Sequence, residues 1–427
     1  VRNKYIGKPW ETTEWINTSR DEAYIKYLTE LSDYTIAEFA VSYASHIQDS
    51  FYEGIDYQAD DTMWYARAKF DMELTNEHFI TFGVDSRREE MRSNTDALEA
   101  EPAYQSDAFD YNTSGIFFQD TWTPNDKFEV AVALRIDNVV ADFIDPEKTG
   151  TEIDETFVAP RLDIRYFHTD ELTSRFSTGR GYRAPLSFFE TDHGILDAEL
   201  GYQIDIDSLE ESISASYSLS YDSEILALTT SIAHSKVDNL ASLEETADGV
   251  PILTQLEDSA AVTTYDITAG YNVTENFTVN IGLEKFVYDD NFKSSYAIAP
   301  VEERASIELQ YEKDNLKVFW STVWFGEKDL TDYGYQGYNK LNDSGEADLA
   351  TAKTLVGKAF STSDIKVQYQ LTEHTKLYAG VSNIFEQTQI DSGDTPLFYD
   401  ASGGYDVAYI YGALHGRELY AGIEIKL

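Results

Sequence analysis

Two clusters of acidic side chains are the residues of this sequence best suited to chemistry, because carboxylates close together can bind a cation. The first cluster comprises Glu190, Asp192 and His193, and the second comprises Asp391, Asp394, Asp400 and Asp406. Carboxylate oxygens in loops are ligands for Ca²⁺. Neither cluster has the fixed ligand spacing of an EF-hand loop. A loop-bound Ca²⁺ is one hypothesis, and an acidic solvated surface that binds no cation is the interpretation we favour.

No catalytic motif is recognisable. The chain has 7 His and no Cys, and no pair of His has HExxH spacing. A GxSxG segment, which would mark a hydrolase nucleophile, is also missing, as is a Gly-rich phosphate loop. Ser, His and Asp are common enough that a triad built from distant residues stays open. The sequence therefore predicts a protein that is not an enzyme.

Arg180 and Arg183 lie near the end of a predicted strand, 172–184. One interpretation is that they bind a ligand. The other is that they form ion pairs with nearby carboxylates. Because the chain has 77 Asp and Glu against 32 Lys and Arg, we favour the ion pairs.

The final segment, 416–427, shows which kind of element positions these residues. Its apolar side chains alternate with polar ones, and the apolar set is Leu419, Ala421, Ile423, Ile425 and Leu427. Alternation with period two predicts a strand with one face in an apolar medium and one in a polar medium. Glu418, Glu424 and Lys426 are on the polar face of this strand.

The same alternation recurs along the chain and predicts about 17 strands. They are 22–31, 34–48, 62–74, 79–91, 112–123, 127–143, 156–168, 172–184, 209–221, 225–238, 261–273, 277–286, 303–312, 316–325, 361–371, 376–384 and 414–427. Short turns near 32, 76, 125, 170, 223, 275, 314 and 373 alternate with long polar loops. The predicted long loops are 49–61, 93–111, 144–155, 185–208, 239–260, 287–302, 326–360 and 385–413.

Short turns at one end of the strands and long loops at the other are typical of an antiparallel transmembrane β-barrel. A soluble sandwich would mix turn lengths at both ends, and a propeller would show a repeat of about 40 residues, which the sequence lacks. Trp64, Trp122, Trp320 and Trp324 are interpreted as interfacial aromatic residues at strand ends. The sequence thus predicts an all-β transmembrane barrel that occupies the whole chain, 1–427.

The composition of the chain excludes some classes of function. The formal net charge is −45, which excludes a nucleic-acid-binding protein because such a protein needs a basic face. No run of 18 apolar residues predicts a transmembrane helix. No signal peptide is recognisable at Val1, so we expect a cytoplasmic chain, a mature chain or a piece of a longer one.

Several segments, in the right order, resemble the barrel strands of TonB-dependent outer-membrane receptors. They are 111–122 (YNTSGIFFQDTW), 132–137 (VALRID), 159–162 (APRL), 174–185 (SRFSTGRGYRAP), 377–385 (LYAGVSNIF) and 416–427 (GRELYAGIEIKL). The resemblance covers roughly 110–427. The chain departs from the family in ending on Leu427 rather than on an aromatic residue. Nothing in 1–110 resembles the family's plug domain.

The resemblance implies a receptor in the bacterial outer membrane that takes up a scarce ligand, most often a ferric siderophore or another metal chelate. It also implies a TonB-type energising protein that acts through the plug, which this chain does not contain. Plugged transporters have 22 strands, so we expect about five further strands and the plug outside this sequence. A passive porin is the main alternative, and an outer-membrane barrel enzyme is a weaker one.

Family receptors bind ligands with aromatic residues of the outer loops. The resemblance therefore makes five tyrosines of the loops 326–360 and 385–413 candidates for ligand contact: Tyr333, Tyr335, Tyr338, Tyr399 and Tyr405. For the Tyr-Gly repeats of 333–338 the alternative, which we favour, is an ordinary loop sequence without ligand contact. Arg180, Arg183, Glu190, Asp192 and His193 are further candidates. No cofactor is expected apart from the hypothetical Ca²⁺, and the expected surroundings are outer-membrane lipid.

Overall fold

The structure is a computed structural model, and it describes residues 14–52, 55–95, 108–144, 152–186, 203–245, 251–294, 299–333, 354–389, 398–399, 405–406 and 411–426.

Seventeen strands form one large sheet, which confirms the predicted number. They are β1 (Glu14–Ser32), β2 (Thr35–Tyr52), β3 (Ile55–Glu73), β4 (His78–Thr95), β5 (Phe109–Asn125), β6 (Phe128–Phe143), β7 (Glu152–Phe167), β8 (Leu172–Arg183), β9 (Glu210–Asp222), β10 (Leu226–Asp238), β11 (Ala260–Thr274), β12 (Phe277–Tyr288), β13 (Glu303–Lys313), β14 (Leu316–Phe325), β15 (Phe360–Thr372), β16 (Thr375–Ser382) and β17 (Glu418–Ile425). Each predicted strand overlaps one of these.

Consecutive strands pair antiparallel from β1 to β7 and again from β11 to β17. All eight predicted short turns lie between two paired strands. In an antiparallel meander, successive connections lie at opposite edges of the sheet. Within β1 to β7 the short turns therefore lie at one edge of the strands and the long connections at the other, and the same holds within β11 to β17.

Two sequence predictions about strand ends are wrong. β1 begins at Glu14 rather than at 22, and β2 and β3 extend through most of the predicted loop 49–61. Trp64 consequently lies in the middle of β3 and not at a strand end. The polar sequence of 49–61 concealed these strand ends, because a strand needs no apolar alternation where neither face is apolar.

The chain divides into two compact units. β1 to β6 belong to the first unit, and β12 to β17 belong to the second. Each unit is described separately below.

The two faces of the sheet differ sharply in chemistry. One cross-strand row of the first unit is entirely apolar: Tyr27, Phe39, Ala68, Val84, Ile116, Ile136 and Val158. The adjacent row, on the opposite face, contains Lys26, Ala40, Arg67, Asp85, Gly115, Asp137 and Phe157. Tyr27, Val84 and Ile116 are all more than half exposed. An apolar face that is exposed over many strands suits contact with lipid.

A second layer covers part of the polar face of the first unit. It is a three-stranded sheet formed by Ala241–Glu245, Pro251–Gln255 and Gln203–Ile204. Its side chains Ile204, Ile206 and Leu253 are buried against Phe109, Phe143, Ile153 and Phe157 of the strands. The apolar core of this unit therefore lies between the polar face and these connecting segments.

The long connections of the second unit form small elements of their own. They include a one-turn helix, α1 (Asp290–Ser294), a 3₁₀ helix (Leu330–Tyr333), and the paired segments Lys328–Asp329 and Val356–Gly357. Gln389 joins two parts of the connection between β16 and β17, because its side-chain oxygen accepts hydrogen bonds from the backbone N–H groups of Tyr411 and Gly412, both at 2.9 Å. No helix within the described ranges is long and apolar enough to cross a membrane.

β16 and β17 pair through two reciprocal contacts between tyrosine and glycine. Tyr420 lies opposite Gly380, and Tyr378 lies opposite Gly422. A Cβ atom on either glycine would come within 2.4 Å of the opposing tyrosine ring. The missing side chains thus make room for the two rings.

Candidate functional site

Arg135 is the centre of an ion-pair cluster on the polar face of the first unit. Its guanidinium donates two hydrogen bonds to Asp85, at 2.6 and 2.8 Å, and one to Asp137, at 2.7 Å. The Asp137 side chain is fully buried. Gly115 lies between Asp85 and Asp137 in the sheet, and a Cβ atom there would be 2.0 Å from Asp137 and 2.5 Å from Arg135. Glycine at this position is what lets the arginine reach across β5.

Other charges of this face are paired in the same way. Glu38 is buried and contacts both Arg67 and Lys26, the latter at 3.2 Å. Arg87 pairs with Glu89, and its guanidinium lies over the Tyr111 ring at 5.4 Å. The charges of Glu38 and Glu89 on this face are therefore each paired with at least one basic side chain.

Arg180 and Arg183 form ion pairs with carboxylates of the neighbouring strand β9, as favoured from the sequence. Arg180 pairs with Glu211 at 2.5 Å, and Arg183 forms a two-bond contact with Glu210. Glu210 also accepts a hydrogen bond from the backbone N–H of Ala241 at 2.9 Å. Through Glu210, Arg183 is linked to Ala241 of the second layer, whereas Arg180 joins only the strands β8 and β9. The role of both arginines as ligand contacts stays a prediction.

Gln255 is the polar link inside that second layer. Its side-chain nitrogen donates to the carbonyl groups of Ser208 and Asn239, at 2.9 and 2.8 Å. Its side-chain oxygen accepts from the N–H groups of Asp207 and Ser208, at 3.3 and 3.1 Å. All hydrogen-bonding groups of this amide are thus used to join two connecting segments.

Tyr333 lies in the 3₁₀ helix of the second unit and is buried, not presented to solvent. Its hydroxyl donates a hydrogen bond to Glu302 at 2.5 Å, and the Lys293 ammonium lies over its ring at 5.5 Å. Burial, together with the hydrogen bond to the Glu302 carboxylate, raises the pKa of Tyr333. In this arrangement Tyr333 anchors a connection, and ligand contact by it stays a prediction.

Two lysines complete this anchor. Lys293 pairs with Asp332, and that hydrogen bond raises the pKa of Lys293. Lys328 is buried and donates to the carbonyl of Ala299 at 2.9 Å, and its burial lowers the pKa of its ammonium group. Polar contacts therefore join the connection between β12 and β13 to the segment 328–333 of the connection between β14 and β15.

The remaining candidates fall outside what the structure describes. This holds for Glu190, Asp192, His193, Tyr335 and Tyr338, and for the side chains of Tyr399 and Tyr405. Across the described ranges, no group of three or more His, Asp or Glu side chains could hold a metal ion. The hypothetical Ca²⁺ sites lie largely in the other ranges and stay a prediction.

The described arrangement offers a polar wall and an edge of anchored connections. The carboxylates of Asp85, Glu38 and Glu210 accept hydrogen bonds from Arg or Lys, so these groups are held as structural ions rather than presented as bases.

Comparison with protein families identifies the class of protein to which this chain belongs. The family described as "TonB dependent receptor-like, beta-barrel" matches residues 2–384. The chain belongs to this family. The barrel class predicted from alternation and turn lengths is thereby confirmed, as is the resemblance to TonB-dependent receptors.

Solved structures with the same fold agree with the family. The copper transporter OprC has 16% sequence identity and a TM-score of 0.69, and the match covers 96% of this chain and 66% of that one. The ferric-catecholate import receptor Fiu of E. coli has 12% identity and a TM-score of 0.67, with 98% and 65% covered. The siderophore receptor PiuA of Acinetobacter baumannii has 11% identity and a TM-score of 0.68, with 97% and 65% covered.

The chain spans just under two thirds of the length of each of these three proteins. No curated protein matches it. The family and the similar structures are named as receptors and transporters, which confirms at family level that the chain is not an enzyme.

Sequence reasoning missed several residues that organise the receptor wall. Gly115, Glu210, Gln255 and Glu302 were not singled out. The signal for some ion pairs was nevertheless present, because Arg135 and Asp137 are two residues apart on one face of a strand.

Proposed function

We propose that this chain is the barrel of an outer-membrane receptor that takes up a scarce ligand, a ferric siderophore or another metal chelate. The observation that carries the proposal is the family match over residues 2–384. The names of similar structures, which include a copper transporter and siderophore receptors, support this class of ligand.

The paired charges of the polar face support a role in the passage of a ligand rather than in its tight binding. Its charges are paired in clusters such as Arg135 with Asp85 and Asp137. A wall of paired ions holds no strong net field at one point, so a charged chelate would meet polar groups without being trapped. Capture would then fall to the long connections, which contain Tyr335, Tyr338, Tyr399 and Tyr405.

We further propose that a TonB-type protein supplies the energy and that it acts through a plug domain outside these 427 residues. That the chain spans less than two thirds of its structural relatives supports this arrangement. The proposed location is the bacterial outer membrane, which is where barrels of this family reside.

The test is uptake of labelled ferric chelates by cells that carry the full-length receptor, with and without the energising partner. We expect uptake that depends on the partner and saturates with ligand. Uptake that persists unchanged without the partner would instead identify a passive porin.

A loop variant tests the place of capture. Tyr335→Ala combined with Tyr338→Ala spares the buried anchor Tyr333, so the barrel should assemble normally. We expect reduced uptake at low ligand concentration. The matched control is Tyr34→Ala, an exposed tyrosine in the short turn between β1 and β2 and outside the long connections, which should leave uptake unchanged.

A further inference from the structure

Lys328 is a buried cation at the long-connection edge of the second unit. Only 7% of its surface is exposed, and its ammonium group donates a hydrogen bond to the backbone carbonyl of Ala299 at 2.9 Å. The nearby carboxylate of Glu302 instead accepts a hydrogen bond from the Tyr333 hydroxyl and lies 3.9 Å from the Lys293 ammonium. Among the residues that the structure describes, Lys328 therefore has a backbone acceptor but no ion-pair partner.

The short segment that carries Lys328 is held in place by several contacts. We call residues 328–333 the strap, and it comprises one paired segment and the 3₁₀ helix described above. The backbone N–H of Leu330 donates to the carbonyl of Leu355 at 2.9 Å, and the Leu330 side chain is fully buried. The hydroxyl of Tyr333 bonds to the connection between β12 and β13. All these contacts favour a closed strap.

The charge of Lys328 opposes this closed arrangement. Removing an ammonium group from water is costly unless a carboxylate pairs with it, and one hydrogen bond to a carbonyl offsets only part of that cost. Burial accordingly lowers the pKa of the ammonium group. When the strap opens, the ammonium group returns to water and the cost is removed. The closed strap is therefore less stable than its other contacts alone would make it.

We propose that the strap opens locally while the neighbouring strands stay folded, and that the buried charge of Lys328 is what lowers the free energy of opening. Segments that open in this way are often the parts of a protein that move in function. The strap lies near the start of the connection that continues to Tyr335 and Tyr338, two of the proposed capture residues. Opening needs no ligand, so the test below does not depend on the proposed function.

Hydrogen-exchange mass spectrometry of the full-length receptor in detergent tests the proposal. Lys328→Met keeps the length of the side chain and removes its charge. We expect amide exchange in 328–333 to become about tenfold slower, because replacing a buried charge by an apolar side chain of similar size often stabilises the closed state. Exchange in β13 and β14 is the internal reference and should not change.

Lys293→Met is the matched control, because it makes the same change at a lysine that is paired. Lys293 contacts Asp332 of the strap, and the Asp332 side chain is about half exposed. Loss of this contact should make exchange in the strap about twofold to fivefold faster, the range for a partly exposed ion pair. The two lysine variants should thus change the exchange rate in opposite directions.

Lys328→Gln separates the charge from the hydrogen bond, since its amide can still donate to a carbonyl. It should also slow exchange in the strap, and it decides the question if Lys328→Met does not fold. Exchange that is unchanged or faster in Lys328→Gln would overturn the proposal. So would slower exchange in Lys293→Met, or an equal slowing in β13 and β14, which would show a general gain in stability instead of a local one.

Discussion

Many ion pairs on this chain join residues two positions apart on the same strand. Examples are Arg20 with Glu22, Lys69 with Asp71, Arg87 with Glu89, Arg135 with Asp137, Arg161 with Asp163, and Lys236 with Asp238. Residues i and i+2 of a strand share one face, so the strand conformation alone places a basic residue beside an acidic residue two positions away. No pairing with another strand is needed. Each pair is worth little where it is exposed.

The Arg135 cluster differs because it also crosses strands and includes the buried Asp137. Gly115→Ala should disrupt it, since the added Cβ would overlap both partners. We expect a loss of about 1–3 kcal/mol in the free energy of unfolding, the usual cost of overpacking. Urea titration of the receptor in detergent measures this.

The control for this prediction makes the same change at Gly416. There the nearest atom to the added Cβ is 3.6 Å away, an ordinary contact. Gly416→Ala should stay within about 0.5 kcal/mol of the wild type. Equal losses at both glycines would show that backbone freedom, and not the Arg135 cluster, explains the effect.

At the scale of single residues, the sequence predicted that Arg180 and Arg183 each form an ion pair, but it did not predict which carboxylates they pair with. Glu211 and Glu210 lie 31 and 27 residues further along the chain, beyond a long connection. Only the pairing of β8 with β9 brings them together. Pairs two residues apart were visible in the sequence, whereas cross-strand pairs depend on a register that a single sequence does not state.

At the scale of elements, strands were predictable where one face is apolar. Alternation placed β17 and its apolar residues correctly, but it failed at 49–61, where β2 and β3 continue with polar residues on both faces. The three-stranded second layer was also missed, because its strands contain only two to five residues. Segments that short leave too few positions for a period to show.

The second layer should be held largely by Gln255. Gln255→Ala removes four hydrogen bonds, of which three join 207–208 to the hairpin 241–255 and the fourth joins the hairpin to the carbonyl of Asn239. Each lost bond leaves a backbone group to be satisfied by water. We expect amide exchange in 241–255 to become about tenfold faster, which hydrogen-exchange mass spectrometry measures.

Gln119→Ala is the control for the second-layer prediction. The Gln119 side chain bonds Thr121 of its own strand and joins no connecting segment. Exchange in 241–255 should be unchanged in that variant. If Gln255→Ala also leaves exchange unchanged, the apolar contacts of Ile204 and Leu253 hold the layer without it.

The Tyr333 anchor should make stability depend on alkaline pH. Because the pKa of Tyr333 is raised above its ordinary value of 10.0, the neutral phenol stabilises the folded state fully below pH 10. That contribution is lost as the pH rises above 10 toward the raised pKa. Urea titrations on both sides of pH 10 should show this loss in the wild type.

Tyr333→Phe isolates the phenol from the nearby lysines, whose pKa values shift in opposite directions. Below pH 10 it should cost about 1–3 kcal/mol, the range for a hydrogen bond to a charged group. The difference from the wild type should then shrink above pH 10. A difference that is constant with pH would mean that the hydroxyl contributes only packing.

For the whole molecule, the division of the sheet into an apolar face and a polar face is the main determinant of which side chains are suited to lipid contact. Ile423 and Ile425 are each more than half exposed on the apolar face of β17. On the opposite face Glu424 pairs with Lys376 at 2.6 Å. The predicted lipid contact of the apolar face follows from the proposed location.

Ile423→Arg should cost about 2–4 kcal/mol on refolding into vesicles, because it places a charge in hydrocarbon. Glu418→Arg puts the same side chain on the polar face of the same strand and should cost less than about 1 kcal/mol. Equal costs in a refolding titration would contradict the assignment of the two faces.

The two tyrosine–glycine contacts between β16 and β17 also favour one register of these strands over others. In the observed pairing, each ring fills the space above a glycine. Sliding β17 by two residues in one direction would set Gly380 opposite Gly422 and leave a hole. Sliding it the other way would set Tyr378 opposite Tyr420 and force two rings into one space. Both slips keep apolar and polar faces in place, so hydrophobicity alone would not reject them. The sizes of the residues at these four positions therefore select the register in which the last strand pairs with β16, and they disfavour registers shifted by two residues.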